Sequence, residues 1–295
     1  MNIAFLGLGA IGQPMAVHLA RQHTLAVWNR TQRVADDFAR AHQCRAGTTP
    51  AETVRGAEVV ITCLPTSREV EAVLLGAGGA LPGIARGSLV LDCTSGDSAS
   101  VQRIGAELAA AGIAFADCPV SGGTNGAAAG TLTVMVGGDA DTFERARPIL
   151  ACFGKRIEHL GPLGAGSAMK AINNALLATN ILAFGEGFSA LVKAGVPARK
   201  ALEVLNASSG RSFVSEGLVP DRVLTGAWPN TFRLALLDKD VGIAAQFLES
   251  QEIDAPVLHL VLERLHQARQ ALGEGADYLE PIRLAEERAG VKIRG

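Results

Sequence analysis

The stretch Ile3-Ala4-Phe5-Leu6-Gly7-Leu8-Gly9-Ala10-Ile11-Gly12 decides how the rest of the chain is read. A short apolar run ends in glycines spaced G-x-G-x-x-G, and a helical pattern follows with apolar residues at Ile11, Met15 and Leu19. In that context each glycine has its own use. Gly7 permits a tight turn, Gly9 lets the backbone approach a pyrophosphate, and Gly12 allows the helix to pack closely on the strand. The helix N-terminus then offers unpaired N–H groups and the positive end of its dipole to phosphate. Gly7, Leu8, Gly9, Ala10, Ile11 and Gly12 are thus the expected dinucleotide-binding loop. The other use of the same glycines is chain reversal alone.

Outward from this loop, apolar runs alternate with amphipathic stretches. Strands are expected at Ile3–Leu6, Leu25–Trp28, Val59–Leu64, Leu89–Asp92, Ile113–Asp117 and Leu132–Val136, with a last one at Arg156–Leu160. Helices are expected at Ala10–Arg21, Thr31–Ala41 and Ser98–Ala111. Such alternation predicts an α/β unit with a mainly parallel sheet covered on both faces. The character changes at Gly161-Pro162-Leu163-Gly164, a turn-rich break. Beyond it the patterns are helical, beginning with a long helix from Ala165 to the Ala194-Gly195-Val196-Pro197 stop. Three more helices are expected, at Arg199–Asn206, Leu237–Glu249 and Ala255–Gln270. The expected domains are therefore 1–162, a doubly wound parallel sheet, and 163–295, all-α. A helix of about 30 residues is roughly 45 Å long. Its apolar residues spread around most of the circumference, so it is either the buried centre of its own domain or has one face covered by another subunit.

Of 295 residues, 48% are hydrophobic and 19% charged, a globular balance that excludes wholesale disorder. Lys+Arg 27 against Asp+Glu 29 gives a net charge of −2, so no nucleic-acid partner is expected. The five cysteines (Cys44, Cys63, Cys93, Cys118, Cys152) form no C-x-x-C pair, which suggests neither a metal site nor a disulfide framework. Cysteines beside apolar runs and an N-terminus without a basic segment predict a cytoplasmic protein. The apolar stretch Ala171–Val192 carries Asn173, Asn174, Asn180 and Glu186, and reads as a buried helix rather than a membrane span.

The candidate site residues lie where parallel sheets bind ligands, at strand carboxyl ends. After Val27-Trp28 comes Asn29-Arg30-Thr31 in place of the acidic residue that usually meets an NAD ribose. The missing carboxylate and the guanidinium favour NADP over NAD. Alternatively Arg30 lies on the surface and Asn29 serves the ribose of either cofactor. Leu64-Pro65 and Thr94-Ser95 follow two further strands; the hydroxyls would reach the cofactor or substrate, or Ser95 or Ser98 would cap the next helix. The stretch Asp117–Leu132 contains Ser121-Gly122-Gly123, a hydroxyl plus exposed N–H groups suited to a carboxylate, or else a flexible loop. Lys170 and Asn174 stand at i and i+4 at the start of the long helix. A lysine among Ala, Met and Ile suits proton exchange with a hydroxyl, or it snorkels to solvent.

In this order, the Gly7–Gly12 loop, the Asp117–Leu132 stretch, the Gly164–Asn174 helix start and Lys239-Asp240 resemble the β-hydroxyacid dehydrogenases over essentially the whole chain. The resemblance is nearest to the 3-hydroxyisobutyrate dehydrogenase and glyoxylate/succinic semialdehyde reductase branch. It implies a Rossmann domain, a helical second domain, and a homodimer or homotetramer built on the long helix. It implies Lys170 as the catalytic residue, Ser121, Gly122, Gly123 and Asn174 as substrate-binding, and Phe232 and Lys239 near the cofactor. The expected substrate is a small hydroxy acid or semialdehyde. The alternatives are an imine reductase, which the lysine disfavours, and a non-catalytic nucleotide-binding module. Asp238, an acidic neighbour of Lys239, is expected to pair with it and weaken its reach.

Overall fold

A computed structural model describes residues 1–295. The chain divides into two compact units, Met1–Ala171 and Ile172–Gly295. The first is built on a nine-stranded sheet. Its elements run β1 (Asn2–Leu6), α1 (Gly12–Ala20), β2 (Thr24–Trp28), α2 (Gln32–His42), β3 (Arg45–Ala46), α3 (Pro50–Thr53), β4 (Val59–Thr62) and α4 (Ser67–Leu75). There follow β5 (Leu89–Asp92), α5 (Ser98–Ala110), β6 (Ala114–Asp117), β7 (Val120–Ser121), α6 (Gly123–Ala129), β8 (Leu132–Gly137), α7 (Ala140–Leu150) and β9 (Gly154–Gly161). The sheet order is β3-β2-β1-β4-β5-β6-β8-β7, with β9 beside β8.

From β3 to β6 every neighbour is parallel; β8 is antiparallel to β6 and β7 and parallel to β9. Successive strand residues alternate faces, and here both faces are apolar. Ile3, Phe5, Val59, Ile61, Leu89 and Leu91 pack on one side with Met15 and Leu19 of α1 and Ile149 and Leu150 of α7. Ala4, Leu6, Val60 and Val90 pack on the other with Val70 and Leu74 of α4 and Ile104 and Leu108 of α5. The expected doubly wound sheet is present.

Two details differ from the sequence reading. The Asp117–Leu132 stretch is no loose loop: β7 and α6 occupy most of it. A two-residue strand and a seven-residue Ala/Gly helix are too short to leave a periodic signature. The cap of α5 is neither Ser95 nor Ser98 but Asp97, whose carboxylate accepts from Ser100 N–H at 2.7 Å. Ser98 turns away and donates to the Gly164 carbonyl at 2.9 Å.

The long helix α8 (Ala165–Lys193) begins in the first unit and continues into the second. By length and composition alone it is apolar enough to cross a membrane, a test that the core helix of a globular unit also passes. In the second unit its Ala175, Ala178, Ile181, Phe184 and Phe188 are core residues, while Leu176 and Leu191 are 53% and 39% exposed. Around it lie α9 (Ala198–Asn206), a π-turn (Val214–Leu218), α10 (Val219–Arg222), α11 (Leu234–Ser250), α12 (Pro256–Leu272) and α13 (Pro281–Ala289). Apart from one isolated bridge between Arg233 and Asp277 the second unit is helical, as expected.

Candidate active site

The glycine loop has the geometry that its spacing requires. Gly7 adopts φ 110°, and a Cβ there would lie 2.3 Å from the Cys63 carbonyl oxygen. A Cβ on Gly12 would lie 2.2 Å from the Gly7 oxygen, so only glycine lets α1 start this close to the sheet. Gly9 is exposed, with nothing within 4 Å of its Cβ position. No side chain caps α1. The loop is held open from below: Gly7 N–H donates to the Trp28 carbonyl at 2.9 Å and Leu8 N–H to Asn29 Oδ1 at 3.1 Å. An uncapped helix N-terminus under an unobstructed glycine fits a pyrophosphate.

Asn29 therefore braces the loop; its Nδ2 donates to the Thr31 carbonyl at 3.2 Å. Arg30 and Thr31 are exposed, and Thr31 occupies the N-cap position of α2 without a side-chain cap bond. A guanidinium, a hydroxyl and an uncapped helix start thus stand together at the carboxyl end of β2.

Below the next strand ends lies a buried polar girder. Asp92 Oδ1 accepts from the Thr62 hydroxyl at 2.7 Å and from Thr94 N–H at 3.0 Å. The Thr94 hydroxyl in turn accepts from Leu64 N–H at 3.0 Å. Thr94, 2% exposed, is structural here, while Ser95 and Leu64 are half-buried and Pro65 is exposed. Burial pushes the Asp92 carboxyl up to about 6 against its hydrogen bonds, and the Cys63 thiol up to about 12. Burial raises Cys93 and Cys118 as well, so these thiols are poor nucleophiles at neutral pH.

Ser121 closes β7, and Gly122 and Gly123 follow with φ 138° and 63°, both exposed. Positive φ at consecutive positions is what these glycines supply. The far end of α6 is tied to α1 by His18, whose Nε2 lies 3.0 Å from the Ala127 carbonyl and 3.1 Å from that of Ala128. This brace between the glycine-loop helix and the Ser121–Gly123 segment carries no sequence motif. Lys170, half-buried, lies at the start of α8, whose first turn is bonded to Asp117 at the carboxyl end of β6.

In the second unit Asn174 is 3% exposed. Its Nδ2 donates to Asp240 Oδ2 at 2.6 Å, and its Oδ1 accepts from Asn173 Nδ2 at 3.0 Å. The other Asp240 oxygen pairs with Lys239 Nζ at 3.0 Å. Asp240, not Asp238, is the partner of Lys239. Asp238 instead pairs with His266 and Arg269 of α12, because adjacent helix residues point about 100° apart. Phe232 is held through its backbone: its N–H donates to Asp277 Oδ2 at 3.1 Å, and its ring meets Tyr278 edge-on at 5.5 Å. Asp277 is a brace that no motif marks, and Asp240, though part of the Lys239-Asp240 pair, gives no sign in sequence that it bridges Lys239 and Asn174.

Known proteins bear on this geometry. Residues 2–161 match the profile of the NAD binding domain of 6-phosphogluconate dehydrogenase. Residues 164–285 match that of the NAD-binding region of NADP-dependent 3-hydroxyisobutyrate dehydrogenase. The chain belongs to the β-hydroxyacid dehydrogenases, in the 3-hydroxyisobutyrate dehydrogenase branch. The first unit of this dehydrogenase is accordingly a nicotinamide-dinucleotide-binding domain. A Pseudomonas aeruginosa NAD-dependent L-serine dehydrogenase is 38% identical over 268 residues, 88% of this chain and 90% of that one. A 3-hydroxyisobutyrate dehydrogenase from the same organism is 34% identical over 287 residues, 94% and 96% of the two chains. The solved Mycobacterium tuberculosis 3-hydroxyisobutyrate dehydrogenase with L-serine superposes with a TM-score of 0.86 at 30% identity, covering 96% of this dehydrogenase and 98% of that chain.

Proposed function

We propose that this dehydrogenase interconverts a small 3-hydroxy acid and its semialdehyde, with NADP as the preferred cofactor. The observation that carries the reading is the common anchorage of three groups at the carboxyl ends of the parallel strands. These are the glycine loop after β1, the Ser121–Gly123 turn that ends β7 just beyond β6, and the α8 start that bears Lys170. When bound, the nicotinamide supplies hydride in reduction and accepts it in oxidation. The Ser121 hydroxyl and the Gly122 and Gly123 N–H groups hold the substrate carboxylate. Lys170 Nζ gives a proton to the carbonyl oxygen in reduction and takes it from the hydroxyl in oxidation. Asn174 keeps one amide N–H beyond its bond to Asp240, a donor suited to a substrate oxygen.

One relative is named NAD-dependent, so the cofactor choice rests on this chain's own Arg30 and Thr31. Arg30→Ala is expected to weaken NADP binding by about tenfold or more, the worth of a charge-assisted bond, and to leave NAD binding nearly unchanged. Titration of both cofactors by fluorescence checks it, and equal weakening of the two sinks the 2′-phosphate site. The substrate class is tested by NADPH and NADH oxidation with a panel of small semialdehydes. Tight cofactor binding without turnover on any of them would favour a non-catalytic module. The exposed Leu176 and Leu191 on α8 support a homodimer or homotetramer that covers part of this helix, to be read by light scattering.

A further inference from the structure

We propose that Asp117 is the positioning residue for Lys170: its carboxylate grips the first turn of α8 and fixes where the lysine stands. The proposal rests on the reading of Lys170 as the group that exchanges the substrate proton. Asp117 ends β6 with no exposed surface. Its Oδ1 accepts from Gly164 N–H at 2.8 Å and its Oδ2 from Ser167 N–H at 2.6 Å. Both are helix-start donors that have no carbonyl within the helix to bond. One carboxylate thus straddles the whole first turn, with its charge at the positive end of the helix dipole.

The surroundings leave no slack. A Cβ on Gly137 would lie 2.3 Å from Asp117 Oδ1. One on Gly166 would lie 2.3 Å from the Met135 carbonyl and 2.9 Å from Asp117 Oδ2. Two glycines therefore let the helix start press directly onto the sheet edge. The Ser98 hydroxyl holds the same turn from the other side, at the Gly164 carbonyl.

Holding a carboxylate here is costly, since burial raises its pKa against the hydrogen bonds that lower it. An uncharged residue would avoid that cost but could not do the same task. Asparagine has one acceptor oxygen, and its NH2 group would meet the second N–H donor to donor. A carboxylate satisfies both. Lys170 follows Ser167 by three residues, a rise of about 4.5 Å on nearly the same helix face. A shift or tilt at Ser167 therefore reaches the lysine almost undiminished. Asp117 touches no substrate; it acts through α8.

The test is a double-mutant cycle of Asp117→Asn and Lys170→Ala, with kcat, KM, NADPH affinity and thermal midpoint measured on each purified protein. Asp117→Asn alone is expected to lower kcat by about 10–100-fold, the scale of a misplaced reacting group, while KM and NADPH affinity change by less than about threefold. In the Lys170→Ala background the same substitution should change the residual turnover by less than about twofold, because coupled residues are not additive. If Asp117→Asn costs the same factor with and without the lysine, or raises only KM, Asp117 is structural and the proposal falls while the Lys170 assignment stands. If Lys170→Ala alone leaves turnover intact, that assignment falls first. Should Asp117→Asn not fold, Gly166→Ala offers the same readout with the carboxylate in place. A kcat loss with unchanged NADPH affinity supports the grip on α8, and an unchanged kcat overturns it.

Discussion

Lys170→Ala should lower turnover by about 10²–10⁴-fold, the usual cost of removing a general acid–base, with NADPH affinity unchanged. The expectation follows from the division of labour in the first unit. The glycine loop, Asn29 and the uncapped start of α1 are complete without Lys170. The lysine lies on a separate element, α8, whose start is fixed to the sheet by the Gly164 and Ser167 N–H bonds. Losing its amine removes the proton exchange and leaves the dinucleotide site as it was. Lys170→Arg is an informative companion. Arginine keeps the positive charge but cannot release a proton at neutral pH. If Lys170 only attracts an anionic substrate, Arg should retain most of the activity; if it exchanges the proton, Arg should be nearly as damaging as Ala. Steady-state rates in both directions, with cofactor titration on the same samples, separate the two. Full activity in Lys170→Ala would remove this residue from the chemistry.

What could be read from the sequence divides along a physical line. The doubly wound sheet was legible because β1, β4 and β5 are buried on both faces and so appear as unbroken apolar runs between helical patterns. The glycine loop was legible because Gly7 and Gly12 meet backbone demands that only glycine satisfies, at the spacing a dinucleotide loop uses. The fine structure of the Ser121 region was not, since β7 gets its order from pairing with β8 (Val120 with Val134, Ser121 with Thr133) and not from its own two residues. The braces were hidden for a related reason. His18, Asp97 and Asp277 act through bonds to groups that are distant in sequence or to bare backbone, and such partners leave no spacing to recognise. The misread neighbour of Lys239 is instructive. Sequence adjacency suggested Asp238, but that carboxylate is turned to His266 and Arg269, while Asp240 bridges Lys239 and Asn174.

Asp92→Asn should raise stability at neutral pH by up to about 3 kcal/mol, and the gain should disappear in acid. Asp92 is 1% exposed, and its carboxyl is raised from 3.8 to about 6 chiefly by burial. That rise corresponds to about 3 kcal/mol at 1.36 kcal/mol per pKa unit. The sign follows from proton linkage. The folded protein binds this proton more tightly than the unfolded chain, so the group's contribution is fully present below pH 3.8 and is lost as pH rises through about 6. Above pH 6 the native state therefore carries a buried charge that an amide would not. Asparagine keeps the bonds from the Thr62 hydroxyl and Thr94 N–H, which share one oxygen, Oδ1, and gives up at most what the Thr94 hydroxyl adds to the carboxylate. Contrast Asp117, whose two oxygens each accept a different N–H, so that an amide breaks the arrangement. Two carboxylates paired in register on adjacent strands thus respond oppositely to the same substitution. Urea midpoints of wild type and Asp92→Asn, taken from pH 8 down to about 4, should converge as the pH falls. A variant less stable than wild type by a constant amount across that range would show that both Asp92 oxygens are needed, and that its charge is compensated by contacts other than Thr62 and Thr94.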